Sequence, residues 1–339
     1  MADVPGLDLE KFAAYFDRAR PGEVSGPLTA RTLAGGKSNL TYAVTDGTRT
    51  WVVRRPPLGH VLATAHDMAR EHRVVSALAG TDVPVAGTYL LCEDDTVIGA
   101  PFYVMDFVAG TPYRSAAQLE PLGPQRTRAI STRLVETLVA LHEVSPDSVG
   151  LADFGRPEGF LERQVRRWKK QLDGSHSRTL RGADELHAAL EQRLPEQQPP
   201  AIVHGDYRLD NCLVDDEDRI AAVVDWEMAT LGDPYTDLAL LVVYQRLATL
   251  GGAIVADAST APGFLSNEEM LALYEQRSGR PLGDLGFYLG LAYFKLAVVL
   301  EGIHYRHIHG QTVGSGFDNV GDAVEPLVAA GLSAMKEHS

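Results

Sequence analysis

The stretch from Ala201 to Asp237, AIVHGDYRLDNCLVDDEDRIAAVVDWEMATLGDPYTD, constrains this chain more than any other. Cys212-Leu213-Val214 and Ile220-Ala221-Ala222-Val223-Val224 are two short strand-like runs. The acidic turn Asp215-Asp216-Glu217-Asp218-Arg219 joins them, a pattern that predicts a β-hairpin. Asn211 stands just before the first run and Asp225 just after the second. In an antiparallel pair those two positions meet at the open end. An amide oxygen and a carboxylate are thereby expected beside a loop holding a second carboxylate, Asp206. Hard oxygen ligands of this kind suit Mg²⁺, which keeps several waters and completes its octahedron with substrate phosphates. Acids near strand ends are also ordinary turn and capping residues. That plainer reading is given to Asp210, Asp215, Asp216 and Asp218, expected as solvated loop acids; for Asp206, Asn211 and Asp225 together chance is the poorer explanation.

The loop His204-Gly205-Asp206-Tyr207-Arg208-Leu209-Asp210-Asn211 also has the spacing of a kinase catalytic loop. In such loops an Asp takes the hydroxyl proton and an Asn five residues on holds metal. With the VVDWE run ending at Glu227 and GDPYTDLA starting at Gly232, the chain resembles the aminoglycoside phosphotransferase and choline kinase-like superfamily. Within it, the chain looks like the phosphotransferase domain fused to some acyl-CoA dehydrogenases, over nearly its whole length. The resemblance implies an α+β, two-lobed protein-kinase-like fold, with a small β-rich N-lobe over residues 1–108 and a larger helical C-lobe over residues 109–339. It implies that Asp206 is the catalytic base and that Asn211 and Asp225 hold Mg²⁺. ATP or GTP is then the phosphoryl donor. Asp237, by the same resemblance, braces the catalytic loop, and His204 at the strand-to-loop junction is expected to hold it by hydrogen bonds.

Ahead of that segment, Leu9, Phe12, Ala13 and Phe16 share one face of an expected helix over residues 7–19. Strand-like segments follow around residues 28–33 and 40–44, joined by Ala34-Gly35-Gly36-Lys37-Ser38-Asn39. A glycine turn lets backbone N–H groups approach phosphates, and an ordinary hairpin turn has the same look. Gly35, Gly36 and Ser38 are the phosphate-covering candidates. Thr50 to Arg55 reads as a strand stopped by Pro56-Pro57. Alternation along it sends Arg54 and Arg55 to opposite faces without choosing between them. The resemblance favours Arg54 for the α- and β-phosphates; a solvated basic pair at a strand end is the plainer reading. Glu71, on an expected helix over residues 66–79, is the candidate partner of Arg54, or else an exposed acid pairing locally. Further strands are expected over residues 88–92 and 101–108, and backbone groups near Met105 to Val108 would meet adenine.

The remainder reads as helical, with a long helix from Pro124 to Val144 and core-like helix over residues 289–303. His142 is expected as a core or cap histidine, because nothing titratable flanks it in the sequence. Asp233 and Pro234 suit the N-cap and first position of another helix. Residues Arg163 to Arg181 hold seven basic side chains against one acid, Asp173. Glu301, His304 and Arg306 are the candidate acceptor-facing residues.

Composition narrows the partners. A formal charge of −14 and a pI near 5.2 argue against general nucleic-acid binding, which needs a basic face. Cys92 and Cys212 have no metal-ligand spacing and give no disulfide framework. The N-terminus MADVPGLDLEKF lacks an apolar signal core, and apolar runs are expected to stop short of a membrane span. A soluble cytoplasmic protein with no membrane partner is the expectation. The reading is a small-molecule O-phosphotransferase whose acceptor is ranked as a hydroxyacyl-CoA or similar anionic alcohol ahead of an aminoglycoside or other amino-alcohol. A catalytically silent nucleotide-binding module is the rival from another class.

Overall fold

Phe12 and Phe16 lie one helical turn apart, and their burial explains the first element, α1 (Leu9–Ala19), whose N-cap Asp8 accepts from the Lys11 N–H. The computed structural model describes residues 4–33, 39–58, 66–249, 256–312 and 317–337. Gly35, Gly36 and Ser38 therefore lie outside the described residues. The chain divides into two units: residues 1–111 with 221–229, and residues 112–220 with 230–339. The first unit is thus not one continuous stretch, unlike the division at residues 108 and 109. Within it the Val223 N–H donates to the Pro84 carbonyl, which ties the returning segment to the body of the unit.

The first unit is built on a five-stranded antiparallel sheet. Its strands are β1 (Thr29–Thr32), β2 (Leu40–Thr45), β3 (Thr50–Arg55), β4 (Thr88–Cys92) and β5 (Phe102–Asp106), in the order β1-β2-β3-β5-β4. Period-two alternation in β3 sends Trp51 and Val53 into the core that α1 covers, where Phe16 meets Trp51 edge-on at 5.4 Å. Arg55 shares that face, and Arg54 takes the other. The second helix, α2 (Met68–Leu78), is capped by Asp67 and packs on β4 and β5.

The second unit is mostly helical. Its helices are α3 (Ala116–Leu119), α4 (Gly123–Glu143), α5 (Phe160–Ser175), α6 (Ala183–Gln192), α7 (Tyr235–Thr249), α8 (Asn267–Ser278), α9 (Gly286–Ile308) and α10 (Val324–Glu337). Helix α9 is the hub, packed by α5, α6, α7 and α10. At Gly290 a Cβ would fall 2.8 Å from the Met335 sulfur, so α10 can approach only because that side chain is missing. By length and composition α9 could cross a membrane, which corrects the expectation that every apolar run stops short; 83% of its apolar window is buried within the protein. Short strands β6 (Ala201–Val203), β7 (Cys212–Val214) and β9 (Thr230–Gly232) complete the second unit, while β8 (Ile220–Val223) runs into the 221–229 stretch of the first. Strand β6 pairs antiparallel with β9, Ala201 opposite Gly232.

Candidate active site

Each unit gathers part of the expected site. In the first, sheet register puts Thr41, Arg54 and Tyr103 in one cross-strand row on the face toward α2. Arg54 is 8% exposed, and its guanidinium has three partners. Its Nε lies 2.8 Å from Glu71 Oε1, its Nη2 donates to Asp225 Oδ1 at 2.6 Å, and its Nη1 donates to Thr41 at 3.3 Å. Glu71 is 2% exposed, so the picture of a surface acid pairing locally does not hold. Burial works against the Arg54 charge, but Glu71, Tyr103 and Asp225 outweigh it and hold the group above its ordinary value. Burial pushes the Glu71 carboxyl up, and Arg54 opposes that. Tyr103, fully buried against Glu71, has its phenol pushed well up.

Arg55 corrects the picture of a solvated basic pair. It is 5% exposed and donates to the carbonyls of Gly6, Pro56 and Ile98, so it works as a buried clamp on three backbone segments. Asp225 has φ 68°, a left-handed conformation that a non-glycine residue adopts at a cost. Asn39, also buried, donates to Glu227 at 3.0 Å. Met105 and Val108 are half-buried in the same unit, Met105 opposite Val52 and Thr88 in the sheet.

In the second unit the loop after β6 is organised by Asp237. The N–H groups of His204 and Gly205 donate to its two oxygens at 2.6 and 2.8 Å, and Gly205 turns with φ 81°. The Asp206 N–H donates to His204 Nδ1 at 3.2 Å, and the buried Tyr207 hydroxyl reaches the Leu134 carbonyl at 2.7 Å. Burial would raise the Asp237 carboxyl, yet His142 and His204 hold it below its ordinary value. His142 is therefore flanked by titratable groups after all. Tyr274 lies 2.8 Å from its Nδ1 and Asp237 3.5 Å from its Nε2, contacts that neighbours in the sequence could not reveal.

Around Asp206 the structure adds residues the sequence did not announce. Asn211 Nδ2 donates to the Asp206 carbonyl at 2.9 Å and to Oδ2 at 3.2 Å, while the Tyr244 hydroxyl donates to Oδ1 at 2.6 Å. Burial and the neighbouring Asp206 push the Tyr244 phenol well up. Lys295, from α9, donates to the Gly205 carbonyl. Tyr244 and Lys295 sit in helices far away in sequence; the single ammonium inside the apolar run of α9 was the one available signal, since α7 carries several hydroxyls. Arg208 is ion-paired with Asp210 and lies 4.6 Å over the Tyr244 ring. Asp210 and Asp218, expected as solvated, are taken up by Arg208 and Arg126. Behind Tyr244 and Arg208 is a small pocket, lined also by Leu134, Leu241, Gln245 and Phe264.

Glu301 is fully buried and held by Arg178 at 2.9 Å; His304 is half-buried and Arg306 exposed at the same helix end. The oxygen donors fit Mg²⁺ by their chemistry. Asn211 commits its nitrogen to Asp206, which leaves Oδ1 as a neutral oxygen ligand. Asp225 commits Oδ1 to Arg54, and its Oδ2 has no hydrogen bond among the described residues. No group of three or more His, Cys, Asp or Glu is gathered for a metal among the described residues.

The profile of the phosphotransferase enzyme family matches residues 29–274. This chain belongs to the phosphotransferase enzyme family. It is similar to acyl-CoA dehydrogenase family member 11 of Gallus gallus, 34% identical over 98% of this chain and 44% of that protein. Acyl-CoA dehydrogenase family member 10 of Mus musculus is 34% identical over 89% of this chain and 29% of its own length. The chain thus spans less than half the length of these curated relatives. A candidate aminoglycoside phosphotransferase of Ralstonia eutropha, solved by crystallography, has TM-score 0.85 and 35% identity over 98% of this chain and 99% of its own. An aminoglycoside phosphotransferase in ternary complex with ADP and hygromycin B has TM-score 0.64 at 16% identity, covering 97% of this chain and 99% of its own, a likeness of fold. The fold is the kinase-like one of these phosphotransferases.

Proposed function

We propose that this phosphotransferase moves the γ-phosphoryl of ATP, or GTP, to the hydroxyl of a small molecule. The observation that carries the reading is the Asp206 loop. A carboxylate is held by Asn211 and Tyr244 in a loop whose backbone is pinned on Asp237, an arrangement that positions a base. Asp206 accepts or orients the acceptor's hydroxyl proton. Arg54, positioned by Glu71, steadies the α- and β-phosphates with its planar fork, and the turn carrying Gly35, Gly36 and Ser38 covers them. Asn211 and Asp225 would hold Mg²⁺, which when bound neutralises charge on the transferred phosphoryl. Met105 to Val108 offer backbone groups to the base of the nucleotide. His204 and Asp237 keep the loop in place. A protein of this kind works in aqueous solution on small solutes, with neither nucleic acid nor membrane as partner.

For the acceptor we rank a hydroxyacyl-CoA ester or similar anionic alcohol ahead of an aminoglycoside. The curated relatives include acyl-CoA dehydrogenase family members, and three cations of the 163–181 stretch, Arg167, Lys170 and Arg181, have no ion pair among the described residues. Glu301, the acid among the candidate acceptor residues, is held by Arg178, which leaves that helix end little to offer a polycation. The test is a Mg²⁺-ATP phosphorylation screen across hydroxyacyl-CoA esters, sugars, choline-like alcohols and amino sugars, with GTP in parallel. Phosphate transfer to a hydroxyacyl-CoA, lost in Asp206→Asn, is the expected result. Efficient transfer to kanamycin-like compounds alone would reverse the ranking, and nucleotide binding without transfer to any alcohol would favour the silent module.

A further inference from the structure

Two cations share one indole beside the Asp206 loop. Trp168, on the buried face of α5, is 4% exposed. The Arg167 guanidinium lies 5.3 Å from the centre of its ring and the Lys295 ammonium 5.5 Å. Lys295 reaches over from α9 and also holds the Gly205 carbonyl, one residue from Asp206; Arg167 is exposed to solvent. Three other cations on α5 are already engaged, while Lys170, exposed on the same helix, has no ion pair among the described residues. Arg163 donates to the Arg156 and Glu158 carbonyls, Arg166 pairs with Glu162, and Lys169 pairs with Asp173 and Asp184. Arg167 and Lys295 have no carboxylate at ion-pair distance among the described residues.

Gathering like charges is unfavourable, and an aromatic face offsets that only in part. Burial lowers the Lys295 pKa and the Arg167 charge adds to that, while Asp206 and Asp237 act against it. Those two carboxylates account for one cation at the loop, and Arg167 is left over. A planar guanidinium and an ammonium gathered at one ring, the charge of the first felt by the second, offer the donors that carboxylates and phosphates take up.

We propose that Arg167, Trp168 and Lys295 form an anion subsite next to Asp206 that receives a carboxylate or phosphate group of the acceptor alcohol. It rests on the phosphotransferase reading only in assigning that anion to the acceptor. Because Lys295 touches the residue before Asp206, the negative group and the reacting hydroxyl belong to one small molecule. A polycationic sugar would be repelled at this point.

Tryptophan emission of the whole chain tests the subsite directly. Trp51 and Trp226 are buried in the first unit, so Trp168→Phe supplies the background signal. The titrants are 3-hydroxybutyryl-CoA, 3-hydroxybutyrate, inorganic phosphate, ATP and, as the neutral control, 1,3-butanediol. Saturable quenching by 3-hydroxybutyryl-CoA is expected, absent in Trp168→Phe and absent with the diol. Arg167→Glu should raise its midpoint about tenfold or more, the loss of one charge-assisted contact, and leave the ATP midpoint unchanged. Lys295→Arg should retain binding that Lys295→Gln loses; should the Lys295 variants misfold, exposed Arg167 still decides. No saturable response to any anion, an unchanged midpoint in Arg167→Glu, or a shift for ATP alone would each overturn the subsite. Binding of the anions without phosphorylation of any alcohol would sink the proposed function and spare the subsite. Phosphorylation of a hydroxyacyl-CoA with the same KM in Arg167→Glu would do the opposite.

Discussion

The Arg54 centre of the first unit and the Asp206 loop of the second hold charged groups by different means. Arg54 is fixed by other side chains, chiefly the buried carboxylate of Glu71. The loop is fixed through its backbone, with two N–H groups on Asp237 and a carbonyl on Lys295. A buried ion pair leaves its survivor uncompensated when one member is removed. A backbone-held loop keeps its course when a side chain on it changes. The Arg54 centre should therefore be fragile to substitution, and the Asp206 loop robust.

The largest effect expected is kinetic. Asp206→Asn should cut turnover by about 10²–10⁴-fold while the thermal midpoint hardly moves, since the loop's anchors stay in place; steady-state rates and a melting curve on one preparation would show both. A large drop in the midpoint would break the comparison. Next comes Arg54→Ala, which strands Glu71 and should cost about 3–5 kcal/mol of stability in urea unfolding. A loss under 1 kcal/mol, roughly the worth of a surface pair, would mean that the first unit is held otherwise.

Asp237 sharpens the contrast through pH. Its folded pKa lies below the ordinary 3.8, so its contribution is fully present above that value and is lost as pH falls through the folded pKa. Unfolding curves should therefore show an acid-side loss that Asp237→Asn removes, and Asp237→Ala should cost about 1–3 kcal/mol for each N–H left unsatisfied. The smallest effect falls on Arg55. Arg55→Lys cannot reach three carbonyls with one ammonium, so a loss of about 1–2 kcal/mol is expected, with the nucleotide KM unchanged. A raised KM with full stability would put Arg55, and not Arg54, at the phosphates.

Much of the fold was legible because period two and period 3.6 leave local marks. The strands Thr50–Arg55 and Thr88–Cys92 could be read residue for residue, with the helix bounds a residue or a few out. The β6–β9 pairing was not readable, since two three-residue strands far apart in sequence carry no pattern. Alternation separated Arg54 from Arg55 but could not say that both are buried, because burial of an arginine depends on partners from distant segments. Tyr244 and Lys295 stayed hidden for a related reason: only tertiary packing brings their polar tips to the Asp206 loop. Asp218 was misread as solvated because the arginine that takes it up, Arg126, stands far away in sequence, whereas Asp210 is taken up by Arg208 of its own loop, a pairing that turn composition alone does not announce.

The return of residues 221–229 to the first unit has a consequence for how the protein is made. A ribosome working at about 5–20 residues per second delivers the N-terminal sheet long before Asp225, the partner of Arg54. Until residue 229 has emerged from the exit tunnel, Arg54 has Glu71 and Thr41 to lean on but not Asp225. The usual order, in which the first domain is finished before the second begins, does not apply. A nascent chain halted near residue 200 should hold a sheet that protease can still open, and one halted some 40 residues beyond residue 229 should resist.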